Sequence, residues 1–544
     1  MNTIEWNCAV FDEVHKIKDR KAKVTKAANS FKLRKRYGLT GTVMQNTFEE
    51  LWTLLDFVQP NCLGSLKQFS DRYVLPIKKG QKRDVKEDAL ASATYATRRL
   101  NKEVKRVILR REREATIKDL LPGKDDHVVF CPLTPVQLEI YQNVLQSSDY
   151  QYLITYQEPC PCQSGLVRGN CCSEKLDFKR LLFPSLINLQ KLSQHPSLLM
   201  PSKEKKTTDY EFYKRGKEFV KSAFGSKYED IKKLIKQHED QKLSGKIRTL
   251  TELLKIWFDQ QSKVLIFSNS TKILDIIESI IQKSKYSYCR MDGKVPTSER
   301  QGIVDTFNSR TYEEAFVFLL SSTVGGLGLN ITSANIVVVF DASWNVTKDK
   351  QAQDRAYRIG QTKHTDVYRF ISVGTLEEMI YQRQIYKQQM ANIGLQGVHE
   401  RRYFNGVLGV KGEEGELFGL LNLLKLTTEV QSKVIIDRAQ EQYKIELSKL
   451  SQENSSTPMS KVFSKQTQYK PKDSEIIDLD DLESEVRKQI QLKDSKIVDV
   501  LEKTGVSYSH NNDDVVGDNE MEKLKATKSI ASHHYNQSGG ASDY

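Results

Sequence analysis

The sequence lacks any apolar run approaching the roughly 18–20 residues that a membrane span requires. Its first residues, MNTIEWNCAVFDE, show no basic stretch followed by an apolar one, and we therefore expect no secretory signal peptide. Cysteine is scarce as well: eight residues among 544 do not make a disulfide scaffold, and they indicate a reducing compartment. These absences argue against a membrane protein and against a small disulfide-rich secreted protein.

Positive charge is in excess, since 83 Lys and Arg residues face 70 Asp and Glu residues and give a net charge of +13. Such a balance favours a polyanionic partner. The densest part is the segment 16–36, with ten basic residues and one acidic residue. Two interpretations stay open for it: a solvated helix face, or a surface that contacts nucleic-acid phosphates.

Between residues 246 and 390, short apolar runs alternate with amphipathic stretches. Val264–Phe267 and Ile336–Phe340 are runs typical of buried strands, and five isoleucines between residues 273 and 281 form one apolar helix face. This alternation predicts an α/β fold in which helices cover both faces of a parallel sheet. After about residue 430, Gln, Ser, Lys, Asp and Asn dominate, and we predict helix followed by a disordered tail.

Two carboxylates, Asp12 and Glu13, follow the apolar segment 4–11. Open α/β sheets bind ligands at the carboxyl ends of their strands. An acidic residue there can hold Mg²⁺ on the phosphates of a nucleotide, and its neighbour can position an attacking water. Taken alone, the pair is better explained as two exposed turn acids.

Two later motifs favour the nucleotide site. The segment 39–46, LTGTVMQN, closes the next predicted strand with small hydroxyl residues. Far downstream, QAQDRAYRIGQ at 351–361 places Arg355 and Arg358 one predicted helical turn apart. A planar guanidinium suits the charge that develops on a phosphoryl group in transfer.

In this order, the motifs resemble those of the SWI/SNF-type helicase-like ATPases of superfamily two. Segment 12–15, DEVH, is similar to the Walker B box, and segment 40–46 to the coupling motif of that family. The resemblance covers about residues 1–425. Outside the ATPase motifs, five segments resemble the Cockayne-syndrome-B-like branch of the family: 158–172, 385–389, 401–404, 415–419 and 501–508.

The resemblance implies ATP and Mg²⁺ as cofactors. Asp12 would coordinate Mg²⁺, Glu13 would orient the attacking water, and Arg355 and Arg358 would act as arginine fingers. Further residues implied at the nucleotide are Gly326, Gly328 and Gln351. Those implied at the nucleic acid, or in coupling it to ATP, are Thr40, Gly41, Thr42, Gln45, Asn46, Ser268, Asp292, Gly293, Ser322 and Trp344.

The implied architecture consists of two RecA-like lobes, the first of them partial, with helical insertions and a disordered C-terminal tail. Residues 1–60 would form the C-terminal part of the first lobe, and residues 61–245 a helical protrusion with a cysteine insert at 158–173. Residues 246–395 would form the second lobe. A family-specific extension at 396–430 and the tail at 431–544 would complete the chain.

One family motif is absent from the sequence. A P-loop requires Gly-Lys followed by Thr or Ser, and neither residue follows the Gly-Lys pairs at 123, 216, 245 and 293. We therefore expect this chain not to hydrolyse ATP by itself. An incomplete sequence and an ATPase-dead relative would both explain the absence.

The cysteine insert carries Cys160, Cys162, Cys171 and Cys172. Zinc sites prefer two to four residues between paired cysteines, whereas one residue separates the first pair here and none the second. Zinc ligation and a surface loop of buried or free thiols both stay open.

The apolar triplet of segment 476–481, IIDLDD, is flanked by acids. It resembles a SUMO-binding segment, which would add a strand to the sheet edge of its partner.

The resemblance predicts an ATP-dependent translocase on double-stranded DNA that acts in the nucleus in DNA repair or chromatin remodelling. Its expected partners are duplex DNA, nucleosomes and repair factors. A non-catalytic DNA- or chromatin-binding scaffold is the alternative of a different class. An RNA helicase of the same superfamily is a second rival, against which the DRAYRIGQ run at 354–361 argues.

Overall fold

The structure is a computed structural model that describes residues 6–171, 178–201, 209–325, 328–406, 415, 417, 419–453, 490, 492 and 494–538. Its strands are β1 (Trp6–Asp12), β2 (Leu33–Leu39), β3 (Lys124–Cys131), β4 (Val264–Ser268), β5 (Tyr288–Met291), β6 (Val317–Ser321), β7 (Ile336–Val339), β8 (Thr365–Ser372) and β9 (Ser509–Asn511). They form two sheets, one of two strands and one of seven.

Helices connect and cover these strands. In the first half they are α1 (Lys23–Asn29), α2 (Phe48–Val58), α3 (Leu66–Phe69), α4 (Leu75–Gly80), α5 (Glu87–Val107), α6 (Arg113–Thr116), α7 (Pro135–Gln146), α8 (Ser148–Thr155), α9 (Phe178–Gln194), α10 (Tyr210–Phe224), α11 (Tyr228–Lys236), α12 (Asp240–Leu243) and α13 (Gly245–Asp259). In the second half they are α14 (Thr271–Lys283), α15 (Thr297–Ser309), α16 (Ser322–Gly325), α17 (Val346–Gln353), α18 (Leu376–Gln396), α19 (Leu420–Leu423), α20 (Gln431–Glu453), α21 (Ser495–Lys503), α22 (Asn512–Val515) and α23 (Glu520–Ser538). No helix in the described part of the chain has both the length and the apolar character needed to cross a membrane.

The two-stranded sheet pairs β1 and β2 in parallel, from Trp6 opposite Leu33 to Asp12 opposite Leu39. Helices α1 and α2 pack on it through a small apolar cluster, in which the Phe11 and Phe57 rings meet edge to face at 4.9 Å. Other apolar side chains of this sheet stay exposed, among them Val10 at 62%.

The seven-stranded sheet has the order β5-β6-β4-β7-β8-β3-β9, and every pairing except β3 with β9 is parallel. Its central strands β4, β6 and β7 are buried along their whole length. Strands buried on both faces read as continuous apolar runs, and for that reason the sequence pattern identifies them. The α/β class with a parallel sheet is confirmed.

Two strands come from stretches where the sequence predicts none. β3 lies inside the expected helical protrusion 61–245, and it pairs with β8 over eight residues. β9 lies in the expected disordered tail 431–544 and pairs antiparallel with β3. The prediction of disorder is therefore wrong for 494–538. There α21 packs Ile497, Val498 and Leu501 into the apolar core beside α13, and burial of such side chains offsets the entropy of ordering.

Candidate nucleotide and nucleic-acid site

The acidic pair lies where β1 ends, as predicted. Glu13 adopts a left-handed backbone conformation with φ of 50°, which is uncommon for a residue other than glycine. Its N–H donates a 2.8 Å hydrogen bond to Oδ1 of Asp12. Asp12 is exposed at the carboxyl end of a parallel strand, and an exposed carboxylate in that position fits a Mg²⁺ ligand.

His15 joins this acidic turn to the segment that follows β2. Its Nδ1 lies 3.1 Å from Oε2 of Glu13 and 2.9 Å from Oγ1 of Thr40. Burial lowers the pKa of His15, and the nearby Lys18 lowers it as well, while Glu13 raises it. The sequence places His15 in the acidic box but gives no sign that it bridges two motifs, because Thr40 is 25 positions away.

The coupling segment is held by a carboxylate that sequence reasoning missed. Glu50, in the first turn of α2, accepts hydrogen bonds from the N–H groups of Gln45 at 2.9 Å and Asn46 at 2.8 Å. It also pairs with Lys18 at 2.9 Å. Burial alone would raise the pKa of Glu50, but hydrogen bonds from Lys18 and Asn46 lower it below its ordinary value. The predicted coupling residues thus form one ordered unit.

Thr40 and Thr42 complete this unit. The hydroxyl of Thr40 accepts from the N–H of Thr42 at 3.1 Å, and the Gln45 side-chain amide donates to Oγ1 of Thr42 at 3.2 Å. Gly41 lies between the two threonines, and no other atom comes within 4 Å of where its Cβ would be. The loop therefore owes its shape to polar side chains rather than to close packing at the glycine.

The first lobe touches the second through this segment. Nδ2 of Asn345 donates to Oε1 of Gln45 at 3.2 Å. Next to it, Nζ of Lys387 donates to the carbonyl of Trp344 at 2.9 Å, while the Trp344 side chain stays 38% exposed. A cleft of about 1160 Å³ opens beside this contact, lined by the segment 40–45, the arginine-rich segment 110–113 and residues of α17 and α18.

Further predicted residues stand at the carboxyl edge of the large sheet. Ser268 ends β4 and donates to Oδ2 of Asp341 at 3.3 Å, and the N–H of Asn269 donates to the same carboxylate at 2.9 Å. Burial raises the pKa of Asp341 to about 6. Asp292 follows β5 and accepts from the N–H of Lys294 at 2.9 Å. Asp341 is not among the site residues that the sequence predicts, although it directly follows the apolar run 336–340.

The two arginines do not share a helix. Helix α17 ends at Gln353, and Arg355 and Arg358 lie in the turns that follow. The predicted helical turn between them is therefore wrong. Beyond this end, the Gln361 side-chain amide donates to the carbonyl of Ala356 at 3.1 Å and so holds the turns that contain the arginines.

Each arginine is nevertheless fixed by a backbone carbonyl. Nε of Arg355 donates to the carbonyl of Gln351 at 3.1 Å, and Nη1 of Arg358 donates to the carbonyl of Gly328 at 3.1 Å. Gly328 has φ of +65°, a conformation that favours glycine. The structure thus brings together four of the residues implied at the nucleotide.

The pKa of Arg355 also depends on a charge of the first lobe. The residue is 8% exposed, and burial together with the charge of Arg358 lowers its pKa. Asp354 and Glu13 act in the opposite direction. Glu13 of the first lobe therefore lies within electrostatic range of Arg355 of the second.

The basic segment 16–36 divides into two groups. Lys18 and Arg36 point inward, since Lys18 binds Gln45 and Glu50 while Arg36 donates to the carbonyl of Phe57 at 3.1 Å. The eight exposed members are Lys16, Arg20, Lys21, Lys23, Lys26, Lys32, Arg34 and Lys35.

The remaining predicted residues are less informative. Gly293 is exposed in a turn, and Ser322 is half-buried at the start of α16. Gly326, Cys172 and the segment 476–481 lie outside the described residues.

Comparison with protein families agrees with this architecture. Residues 1–198 match the SNF2-related domain, and residues 245–360 match the helicase conserved C-terminal domain. The two matches meet on either side of the cleft lined by the segment 40–45 and by α17. The fold is that of a SWI/SNF-type helicase-like ATPase.

Within that class, the chain belongs to the CSB-like family. It is 38% identical to Switch 2 of Arabidopsis thaliana over 78% of its length, 39% identical to DNA excision repair protein ERCC-6-like 2 of Mus musculus over 79%, and 35% identical to DNA excision repair protein ERCC-6 of Homo sapiens over 74%. The aligned region spans 52%, 28% and 24% of these relatives, respectively.

Proposed function

We propose that this chain carries the lobe-closing machinery of an ATP-dependent translocase on double-stranded DNA, which acts in the nucleus in DNA repair and chromatin remodelling. The observation that carries the proposal is the meeting of the two lobes, where the side chain of Asn345 is hydrogen-bonded to that of Gln45. Relatives named as DNA excision repair proteins support the biological setting.

ATP and Mg²⁺ are the proposed cofactors. Mg²⁺ would neutralise charge on the transferring phosphoryl group, and Asp12 would hold it. Glu13 would orient the attacking water. Its backbone is in the left-handed conformation. Arg355 and Arg358 would contact the phosphates. Hydrogen bonds to backbone carbonyls already hold both guanidinium groups in position.

We also propose that the 544-residue chain does not hydrolyse ATP unaided, because it contains no Gly-Lys-Thr or Gly-Lys-Ser. The test compares DNA-stimulated phosphate release by the chain and by its Glu13→Gln variant. We expect both to stay at the same background. Hydrolysis by the wild type that Glu13→Gln abolishes would overturn the inactivity and would support the roles assigned to the site.

DNA contact is proposed for the exposed basic residues of the segment 16–36. A quadruple reversal of Arg20, Lys21, Lys23 and Lys26 to Glu should weaken binding to a fluorescent duplex. The slope of log affinity against log salt should fall by up to about 0.9 per lost phosphate contact. A polymer of phosphates attracts these side chains whatever its base sequence.

The matched control reverses four basic residues elsewhere. Lys214, Arg215, Lys217 and Lys221 lie on α10 and are exposed in the same way, and their reversal to Glu changes net charge by the same amount. An equal loss of affinity in both quadruple variants would contradict a localised DNA surface. Tighter binding to single-stranded RNA than to duplex DNA would favour the RNA helicase.

A scaffold remains the second candidate, favoured by the missing Gly-Lys-Thr/Ser motif and by the exposed basic surface. It would bind duplex DNA or nucleosomes and repair factors without turnover. SUMO binding through 476–481 is proposed as one of its contacts. Ile476→Ala combined with Ile477→Ala should abolish capture by immobilised SUMO, and unchanged capture would remove that partner.

A further inference from the structure

The cysteine insert begins with a short hairpin. An isolated antiparallel bridge joins Pro159 to Val167. The N–H of Cys160 donates to the carbonyl of Leu166 at 2.9 Å, and the N–H of Arg168 donates to the carbonyl of Glu158 at 2.8 Å. The tip turns back through two left-handed residues, Gln163 at φ of 59° and Gly165 at φ of 76°.

The hairpin is fixed to the end of α8. The N–H of Gly169 donates to the carbonyl of Tyr156 at 3.0 Å, and Nη1 of Arg168 donates to Oγ1 of Thr155 at 2.9 Å. Gly169 lies so close to the Tyr156 ring that a Cβ there would come within 2.1 Å of it. The hairpin therefore has a definite position although it is too small to have a core of its own.

Three sulfur atoms converge at this hairpin. Sγ of Cys162 lies 3.2 Å from Sγ of Cys160 and 3.2 Å from Sγ of Cys171, and the three atoms are mutually within 4.8 Å. Cys160 is 8% exposed, whereas Cys162 is exposed and Cys171 half-buried. The hairpin turn thus compensates for the unusual spacing of the cysteines in the sequence, because it folds Cys162 back between the other two.

We propose that these three cysteines bind Zn²⁺ and that the ion holds the insert together. Zinc binds thiolates at about 2.3 Å in a tetrahedral arrangement, so neighbouring ligand sulfurs are about 3.8 Å apart. A separation of 3.2 Å needs only a small expansion to reach that value. On binding, each thiol gives its proton to solvent, and the resulting thiolates are neutralised in part by the charge of the ion.

A disulfide is the competing chemistry, but it uses two sulfurs and leaves the third without a covalent partner. Three converging thiols in a protein of a reducing compartment favour the metal. Binding also supplies the folding free energy that so small a hairpin cannot obtain from apolar burial. The site is independent of the proposed translocase activity, since none of its residues belongs to the nucleotide site.

The test measures zinc in the full chain, purified in reducing buffer without added metal. We expect close to one zinc per chain in the wild type, and loss of most of it in Cys160→Ser, Cys162→Ser and Cys171→Ser. Cys8→Ser is the matched control, because Cys8 is an exposed thiol on β1, and it should keep the wild-type content. Cys172→Ser tests for a fourth sulfur ligand: loss of zinc indicates four, and retention indicates three.

A second measurement protects the test against misfolding of the variants. Replacement of the metal by Co²⁺ in the wild-type chain should give the intense visible bands of a tetrahedral site and a thiolate-to-cobalt charge-transfer band in the near ultraviolet. Absence of both zinc and these bands would overturn the proposal. So would zinc that persists in all three variants, or three thiols that are already oxidised in the purified protein.

Discussion

Asn345 donates a hydrogen bond to Gln45 across 3.2 Å, although 300 positions separate the two residues in the chain. Gln45 belongs to the coupling segment of the first lobe, and Asn345 precedes α17 of the second. The Asn345 side-chain oxygen also caps that helix by accepting from the N–H of Thr347. One side chain therefore serves the contact between lobes with its nitrogen and the helix with its oxygen.

Asn345→Asp separates these two duties, because aspartate keeps the capping oxygen and removes the donor. We expect the contact between lobes to weaken by about 1 kcal/mol while α17 stays intact. Hydrogen exchange should become faster over 42–46 and stay unchanged over 347–353. Asn345→Ala, which removes both groups, should speed exchange in both segments. Identical exchange in wild type and Asn345→Asp would contradict the bond between lobes.

Arg369 and Asp126 form a buried ion pair between β8 and β3, and both side chains are 3% exposed. Burial would raise the pKa of Asp126, but Arg369 keeps it below its ordinary value. Arg369→Met leaves a buried charge without its partner and should cost about 3–5 kcal/mol of unfolding free energy. Urea denaturation measures this cost.

Arg369→Met combined with Asp126→Leu should recover most of that stability, because neither member of this pair is then left as a buried charge without its partner. Arg106→Met is the control for the arginine itself, since Arg106 pairs with Glu103 on the surface and its loss should change stability by less than about 1 kcal/mol. A double variant no more stable than Arg369→Met would contradict the ion-pair explanation.

His510, in β9, lies with its Nε2 2.6 Å from Oη of Tyr381. Burial lowers the pKa of His510 to about 3. The folded protein therefore keeps the ring neutral, whereas the unfolded chain takes up a proton below about pH 6.5. The stability due to the neutral ring is complete above that value and is lost as pH falls toward about 3.

Unfolding free energy measured near neutral pH and near pH 5 tests this effect. The wild type should lose up to about 2 kcal/mol through His510 over that interval, and His510→Phe should lose that much less. His238→Phe alters an exposed imidazole and should keep the wild-type pH dependence. A pH dependence equal in His510→Phe and wild type would refute the assignment.

The ionisation of Asp349 changes stability with pH in the direction opposite to that of His510. Asp349 accepts from the Gln384 amide at 2.8 Å, and burial raises its pKa to about 7. The unfolded carboxyl releases its proton near pH 4, so this group reduces stability as pH rises from about 4 to 7. Asp349→Asn should remove that decline, so that its unfolding free energy gains on the wild type between about pH 5 and pH 7.5. Asp259→Asn, at an exposed site, should leave the decline in place.

The parts that sequence predicted best are those with a local cause. β4 and β7 read as apolar runs because both of their faces are buried, and the Asp12-Glu13 turn follows directly from the end of β1. β3 was missed because half of its length is polar, with Lys124, Asp125, Asp126 and His127. The neighbouring strand β8 carries the buried Arg369, and only the pairing of the two strands shows that Asp126 has this arginine as its partner.

The sequence predicts which residues belong to the site better than it predicts the contacts between them. Glu50 organises the coupling segment through three backbone and side-chain bonds, but in sequence it is an ordinary acid in the first turn of a helix. The turns that hold Arg355 and Arg358 are bound by Gln361, whose side chain donates to a carbonyl five positions earlier. Contacts of this kind depend on the folded geometry, and the spacing of residue types does not encode them.

Strand β9 covers the outer edge of β3, yet the ribosome completes it hundreds of residues later. At typical elongation rates, the edge of β3 stays without its neighbour for on the order of tens of seconds. During that time the backbone groups of β3 offer pairing sites to other nascent chains. The protein should therefore depend on chaperones during synthesis more than its finished fold suggests, and early termination before β9 should yield aggregates rather than a shorter soluble domain.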